Sequence, residues 1–250
     1  TLMRGIVWFR RDLRLNDQPA LTAACEACSE VIPLFVFDEP LLQSHVFGSA
    51  CVNFMLGCLE DLAASLANRG ITLQWRRGEP VEEVVHVAQA WKADVVYWNR
   101  DYEPGGINRD RAVQQRLAQI GVIVRTFKDH VVFEAEEVRS ATGEPMQRYS
   151  AYRARWWTKW QAVKPTALPV SRLLRAEKAA SLPIPPPLPT ASDLGYEPVT
   201  LWIEPGERSA QKRLRCFVET TQGIWMGSLA YHQEKLRKVS CQKKRQSEKD

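Results

Sequence analysis

Short apolar runs alternate with amphipathic segments through the first half of the chain. Five runs rich in Val, Ile and aromatic residues predict buried strands; they lie at residues 5–9, 31–38, 71–75, 94–98 and 121–127. Four segments between them space their apolar residues as helices do, and these lie at 19–28, 48–68, 80–91 and 109–120. In 48–68 the apolar residues recur three and four apart, so one face of that helix must lie against the rest of the protein.

Strands that alternate with helices predict a parallel sheet, because parallel neighbours need crossover connections that cover both faces. We therefore predict an α/β fold with a doubly wound, five-stranded parallel sheet over residues 1–134. In such sheets ligands bind beyond the carboxyl ends of the strands, at the switch in strand order. Two strand ends carry unusual numbers of polar residues: the stretch after Phe9, and "WNRDYEP" at 98–104.

The strand and helix alternation stops after Phe133. Residues 135–204 hold most of the prolines, including "LPIPPPLPTASDLGY" from Leu182, and predict a long interdomain connector. Pro205-Gly206-Glu207 then opens a helical pattern, so a second, helical domain is expected over 205–250. Its last residues become polar and basic, which predicts that this domain is incomplete.

The composition is that of an ordinary globular protein, with 45% hydrophobic and 25% charged residues. No uninterrupted apolar run approaches the roughly 18–20 residues that span a bilayer, and the first residues lack a secretory signal pattern, so we predict a cytoplasmic protein without membrane contact. Cys25 and Cys28 form a CxxC within an alanine-rich helix, where buried structural thiols are favoured over a metal or redox pair. Residues 148–160 interleave basic and aromatic side chains, which either track phosphates and stack on bases or form a solvated face.

Opposite charges follow the first strand closely at Arg10, Asp12 and Arg14. They can pair locally and fix the turn into the helix at Pro19, which Asn16 or Asp17 is expected to cap. The chain has neither a G-x-G-x-x-G after the first strand nor a P-loop, which argues against standard dinucleotide or nucleoside triphosphate sites. No catalytic residue and no metal ligand is assigned.

Six separated stretches resemble the photolyase/cryptochrome family. They are "VWFRRDLRLNDQPAL" from Val7, "NRDYEP" from Asn99, "TFKDHVVFEAEEV" from Thr126, "ATGEPMQRYSAYRARWW" from Ala141, "PLPTASDLGY" from Pro187 and "PGERSAQKRLRCFV" from Pro205. The resemblance implies a light-harvesting α/β domain, followed in complete members by a larger helical domain that holds FAD and damaged DNA. It also implies the family's activity, the light-driven, FAD-dependent splitting of cyclobutane pyrimidine dimers by a carbon–carbon lyase.

The resemblance implies roles for two groups of residues. Asn99, Asp101, Tyr102 and Glu103 match the loop near which some members hold an antenna chromophore, either methenyltetrahydrofolate or a deazaflavin, although an Asx-type turn explains Asp101 equally well. Cys51 stands where members usually carry Arg, which weakens the chromophore interpretation. Arg10, Asp12 and Arg14 are expected to be scaffold and interface residues facing the helical domain.

The family's flavin loop and tryptophan electron chain lie beyond the position of Val218 and find no match in residues 219–250. We therefore expect this chain to be the N-terminal antenna domain only, unable to bind FAD or to repair DNA alone. DNA contact would be weak and limited to basic segments, and the surface meant for the helical domain is expected to promote self-association. The alternatives are a cryptochrome-like photoreceptor or interaction module without repair activity, and an unrelated small-molecule enzyme on a similar sheet.

Overall fold

The computed structural model describes residues 3–44, 46–169 and 174–220. Five strands and six helices follow one another in the first 163 residues. In order they are β1 (Arg4–Phe9), α1 (Pro19–Ala27), β2 (Glu30–Asp38), α2 (Glu39–Gln43), α3 (Ser49–Ala67), β3 (Gln74–Gly78), α4 (Pro80–Ala90), β4 (Val95–Asn99), α5 (Pro104–Gln119), β5 (Ile123–Phe127) and α6 (Tyr149–Val163). A further helix, α7, covers residues 207–220.

The five strands form one sheet in the order β3-β2-β1-β4-β5, and every pair is parallel. This confirms the predicted doubly wound α/β fold. The strand order reverses between β1 and β4, since β2 and β3 continue from one side of β1 and β5 continues from the other. A crevice at the carboxyl ends of β1 and β4 is therefore the expected ligand position in this fold.

The sheet separates two apolar cores. Successive side chains of a strand point to opposite faces, so Val7 and Phe9 join the core that includes α1 and α3, while Ile6 and Trp8 join the core that includes α4 and α5. Both faces of β1 are buried, which explains its continuous apolar sequence. The sheet therefore holds the carboxyl end of β1 rigidly between the two layers of helices.

Several element boundaries differ from the sequence prediction. β3 begins at Gln74 and not at residue 71, because Ile71 and Leu73 are buried in the loop before the strand and mimic its apolar pattern. α5 begins at Pro104 and not at residue 109, since its first turn is rich in glycine and its Pro takes the favoured first position. Short α2 and the exposed α6 were not predicted.

The cap of α1 is also different from the prediction. Gln18, and not Asn16 or Asp17, caps the helix through its side-chain oxygen, which accepts from the Leu21 N–H at 3.2 Å. Asp17 has a positive φ of 51°, and its carboxylate accepts from the backbone N–H of Leu168 at 2.9 Å. Asp17 therefore ties a distant segment to the start of α1 instead of capping it.

Several described residues of 135–204, the range predicted as a connector, lie against the α/β domain. The indole Nε1 of Trp75 donates to the Pro186 carbonyl at 2.9 Å, and the Tyr196 hydroxyl donates to the Leu42 carbonyl at 2.6 Å. Leu174 and Leu194 are buried in the core that includes α3. Residues 1–206 accordingly form one compact unit and residues 207–250 a second one. The described part of the second unit is α7, and the predicted basic tail at 221–250 lies outside the described residues.

Among the described residues, α3 alone is long and apolar enough to cross a membrane, and it includes Glu60 and Asp61. One such helix is weak support for a membrane span, because core helices of globular proteins share these properties. The α3 side chains Leu59, Leu62 and Leu66 are fully or almost fully buried in the core. We therefore assign α3 to the core.

Cys25 and Cys28 are both buried free thiols. Burial raises the pKa of the Cys28 thiol, and the Tyr97 hydroxyl lies 3.5 Å from its sulfur. Within the described residues no group of three or more His, Cys, Asp or Glu side chains is placed to bind a metal ion. The thiols therefore serve the core, as the structural interpretation of the CxxC predicts.

Candidate functional site at the carboxyl edge of the sheet

A small polar cavity lies where β1 and β4 end. It has a volume of about 100 Å³, and its lining comes from the loops that follow β1, β4 and β5: Arg10, Arg11, Asp12, Arg14, Asn99, Arg100, Asp101, Asp129 and His130. The sheet topology thus brings together the two polar stretches singled out in the sequence, although they are almost ninety residues apart. The third contribution, from the end of β5, was not predicted.

Asp12 organises the floor of this site. Its Oδ1 accepts from the backbone N–H of Arg10 at 3.0 Å, and its Oδ2 accepts from Gln18 Nε2 and Asn99 Nδ2, each at 2.6 Å. Asn99 Nδ2 also donates to Gln18 Oε1 at 2.9 Å, and its Oδ1 accepts from the Ala20 N–H at 3.2 Å. Asn99 and Gln18 are buried, and buried polar groups that are fully satisfied give a rigid, specific arrangement.

Two arginines of the first loop are neutralised by aspartates from other elements. The Arg10 guanidinium pairs with Asp110 on α5, donates to the Asn99 carbonyl, and lies 4.9 Å from the centre of the Trp8 ring. Arg14 pairs with Asp129, which follows β5, and its Nε donates to the Asn16 carbonyl at 3.0 Å. These long-range pairs join β1 to α5 and to the end of β5.

Asp101 closes an Asx-type turn at the start of α5. Its Oδ1 accepts from the N–H groups of Tyr102 and Glu103 at 2.8 and 3.2 Å, and its Oδ2 faces Arg109 Nη2 at 3.3 Å. Burial alone would raise the pKa of Asp101, but the Glu103 N–H and the charges of Arg11, Arg109 and Arg10 together hold this pKa below its usual range. Asp101 is therefore an ionised carboxylate whose two oxygens are both engaged.

Tyr102 and Glu103 point to different partners. The Tyr102 hydroxyl donates to Glu134 Oε1 at 2.8 Å; burial, together with this carboxylate, raises the pKa of Tyr102 to about 12. Glu103 forms a two-point ion pair with Arg11, at 2.9 and 2.6 Å, which lowers the pKa of the Glu103 carboxyl. This pair is more than half exposed, so it contributes little to stability.

The site does not fit a pterin or deazaflavin ring in this conformation. Small-molecule sites usually enclose roughly 300–1,000 Å³, several times the volume present here. Each of the four side chains predicted to hold the ring already makes a hydrogen bond or ion pair within the protein. The arrangement is able to hold loops together by charge, and it offers a ring no unoccupied carboxylate.

For the hydrogen bonds and ion pairs of this site, the sequence pointed to one partner and not to the other. Gln18, Arg109, Asp110, Asp129 and Glu134 complete the network, and none of them was singled out. For Arg109 and Asp110 a partial signal existed, because they lie on α5, the helix that directly follows the polar end of β4. For Asp129 and Glu134 the pairing follows from tertiary structure alone.

Comparison with known proteins gives a consistent result. A family model described as "DNA photolyase" matches residues 5–171. An uncharacterized 31.6 kDa protein of Synechococcus sp. (strain PCC 6716) is 34% identical over 218 residues, covering 85% of this chain and 74% of that protein. The deoxyribodipyrimidine photo-lyase of Synechococcus sp. (strain PCC 6301) is 33% identical over 225 residues, covering 86% of this chain and 45% of the photolyase. Curated cryptochromes also match.

A solved structure agrees with the sequence matches. The crystal structure of a bacterial class III photolyase from Agrobacterium tumefaciens has a TM-score of 0.68 and 25% sequence identity, and the match covers 88% of this chain and 45% of that chain. The chain thus spans about half the length of the photolyases it matches.

Proposed function

The chain belongs to the DNA photolyase family, and we propose that it is the α/β domain of a deoxyribodipyrimidine photolyase, which splits cyclobutane pyrimidine dimers in DNA with light and FAD. The observation that carries this proposal is the family match over residues 5–171, because it includes all but the first residue of the sheet and the whole of α6. The partner of the whole protein is then damaged DNA, as the family implies.

We further propose that these 250 residues do not bind FAD or repair DNA by themselves. Flavin chemistry requires a site that holds the ring and excludes water, and the cavity at the carboxyl edge is too small for a flavin. The match also accounts for only about half of each photolyase compared. In this proposal the α/β domain supplies a rigid support, and the flavin and the dimer lie on other parts of the active protein.

The carboxyl edge is, in our proposal, a scaffold and not an antenna site. The archaeal photolyase from Sulfolobus tokodaii has two FAD molecules, which implies a light-harvesting cofactor in that protein; in this chain the small cavity and the ion-paired loops support a scaffold role instead. Asp101 and Asn99 then act together with Arg10, Asp12 and Arg14 to fix the loops after β1 and β4. The surface that these loops form is the one proposed to face a helical domain.

An absorption spectrum and a repair assay test the proposal on this chain. The purified protein is expected to lack flavin bands between about 350 and 500 nm, and to leave thymine dimers intact under illumination. A pterin or deazaflavin band in stoichiometric amount would contradict the scaffold assignment. Stoichiometric flavin with repair would show that these residues suffice for activity.

A domain exchange tests the assignment to photolyases directly. Residues 1–206 form a compact unit, so they replace the matching part of the Synechococcus photolyase, and the chimera is tested for light-dependent repair of a dimer-containing oligonucleotide. Repair in the light and none in the dark is the expected result. A chimera that folds and binds flavin but never splits dimers would instead agree with a cryptochrome-like photoreceptor.

A further inference from the structure

A proline-rich stretch lies at the β3 edge of the sheet. Residues 182–189, the proline segment, read LPIPPPLP, and five of these eight residues are proline. Proline fixes φ at about −65°, and a residue that precedes proline is confined to extended backbone. Every residue of the segment is a proline or directly precedes one. The sequence therefore favours a polyproline II helix, which has about three residues per turn and no internal hydrogen bonds.

The burial of the proline segment repeats every third residue, as such a helix predicts. Leu182, Pro185 and Leu188 are partly buried. The two leucines pack against the apolar cores on opposite faces of the sheet. The residues between these three are all exposed, and they are Pro183, Ile184, Pro186 and Pro187. One face of the segment therefore lies against the protein, and the rest of its surface faces solvent.

Two side chains of β3 hold the proline segment by its carbonyl groups. Trp75 Nε1 donates to the Pro186 carbonyl at 2.9 Å, and Gln74 Nε2 donates to the Pro183 carbonyl at 3.3 Å. These carbonyls are one turn apart, so they point to the same side of a polyproline II helix. The Trp75 ring is itself held edge-on against Phe37, with ring centres 5.5 Å apart. The protein thus already binds its own proline segment with an aromatic donor.

The outward face of the proline segment keeps its recognition groups available. Within the described residues the carbonyls of Ile184, Pro185 and Pro187 accept no hydrogen bond. Ile184 is 87% exposed. Pro183 and Pro186 are both exposed and have the spacing P-x-x-P. Because the prolines fix the backbone beforehand, a partner would not lose affinity by ordering it.

From this geometry we propose that the outward face of the proline segment docks a partner protein that has an aromatic-lined groove for polyproline II helices. Such grooves accept segments with the P-x-x-P spacing, which Pro183 and Pro186 supply. The free carbonyls then accept hydrogen bonds from donors in the groove, as the Pro186 carbonyl does from Trp75. The segment has no charged side chain, so it lacks the cations by which proteins bind nucleic acids. The inference goes beyond the proposed function, because this docking needs neither damaged DNA, nor a flavin, nor light.

The test titrates the full chain, in the dark, into three ¹⁵N-labelled probes: one SH3, one WW and one EVH1 domain, each of which binds proline-rich ligands. At least one probe is expected to bind, with NMR shift changes confined to its aromatic groove. Pro186→Ala should weaken this binding about tenfold, because it removes two methylene groups from the contact. The variant keeps the carbonyl that Trp75 holds, and its position is exposed, so the fold is retained.

The matched control is Pro165→Ala, which changes an exposed proline just after α6 and should leave the affinity unchanged. The inference is overturned if none of the three probes binds the chain, or if Pro186→Ala and Pro165→Ala bind alike. It is also overturned if a peptide of residues 181–190 binds a probe that the full chain does not bind, since the outward face would then be insufficient.

A second copy of the chain is the competing occupant of this face, and sedimentation of the unmodified chain and of Pro186→Ala distinguishes it. We expect the two proteins to have the same oligomeric state. Self-association that Pro186→Ala abolishes would overturn the inference, because the face would then join two copies of this chain. Failure of light-dependent repair leaves the binding results unaffected, so this inference and the proposed function fail independently.

Discussion

The carboxylate of Asp101 occupies the space beside the Cα of Gly106. A side chain on Gly106 would place its Cβ 2.3 Å from the Cγ of Asp101, closer than real atoms approach. Because Asp101 is held in place by the N–H groups of Tyr102 and Glu103, it has little freedom to move aside. The first turn of α5 can therefore cross the Asp101 carboxylate only where the helix has no side chain.

Gly106→Ala should destabilise the protein. Alanine normally favours a helix over glycine by about 1 kcal/mol, but here the new methyl group must displace Asp101, and such overpacking costs about 1–3 kcal/mol. Gly105→Ala is the matched control, because nothing lies within 4 Å of the Cβ added there. Urea unfolding should place Gly106→Ala below the unmodified protein and Gly105→Ala at or above it. Equal midpoints for the two variants would contradict the packing argument.

Asp101→Asn should lower stability at neutral pH but not in acid. The asparagine keeps an oxygen for the Tyr102 and Glu103 N–H groups and loses the charge that faces Arg109, at a cost of about 1 kcal/mol. The folded pKa of Asp101 is lowered, so the unfolded chain takes up its proton first as the pH falls. The carboxylate's contribution is therefore complete above about pH 4, its ordinary range, and disappears as the pH falls through the lower folded value.

Urea midpoints measured from neutral pH down to about pH 2 check this expectation, since that range crosses the usual aspartate pKa. The curves of Asp101→Asn and the unmodified protein should converge at the acid end. A gap of constant size over the whole range would mean that the charge of Asp101 contributes nothing to stability. Added salt should weaken the exposed Arg11–Glu103 pair more than the partly buried Asp101–Arg109 contact.

The fold could be predicted from the sequence because the pattern of an apolar strand followed by an amphipathic helix is repeated along the chain. Each strand is an apolar run and each crossover helix has an apolar face, and these local patterns are sufficient to predict a doubly wound parallel sheet. The start of β3 was predicted three residues too early because Ile71 and Leu73 are buried in the loop before it. A sequence shows that such residues are apolar, but it does not show whether their backbone pairs with a neighbouring strand. Helix α6 has no buried residue, so it lacks the apolar stripe by which helices are recognised.

Only about half of the residues of the site could be predicted from the sequence. The sequence indicated that Asp12 and Asn99 lie at the ends of strands, and the parallel sheet brings such ends to one edge. The partners Asp129 and Glu134 come from the segment after β5, where no periodicity fixes the path of the chain. Their pairing with Arg14 and Tyr102 depends on three-dimensional proximity over a separation of more than thirty residues.

Asn99→Ala should destabilise the carboxyl edge through its buried hydrogen bonds. The substitution removes the acceptor of the Ala20 N–H and one hydrogen-bond donor to the Asp12 carboxylate. A buried polar group left without a hydrogen-bond partner costs about 1–3 kcal/mol. Asn108→Ala, at an exposed position on α5, is the matched control and should change stability by less than about 0.5 kcal/mol. Thermal unfolding should show a drop of several degrees for Asn99→Ala alone. Similar melting curves for the two variants would remove Asn99 from the scaffold.

Tyr102→Phe should change how stability depends on alkaline pH. The hydroxyl donates to Glu134, and because Arg100 still pairs with Glu134 at 3.1 Å, its removal should cost only about 1 kcal/mol at neutral pH. An unfolded chain ionises tyrosine near pH 10, whereas the pKa of Tyr102 in the folded protein is raised to about 12. The stabilisation from Tyr102 is therefore complete below about pH 10 and is lost as the pH rises toward the folded value. The urea midpoints of Tyr102→Phe and the unmodified protein should converge over this range of pH. The control variant Tyr149→Phe, at an exposed position, should follow the unmodified protein throughout. A difference between Tyr102→Phe and the unmodified protein that does not narrow would show that the hydroxyl is not held by Glu134.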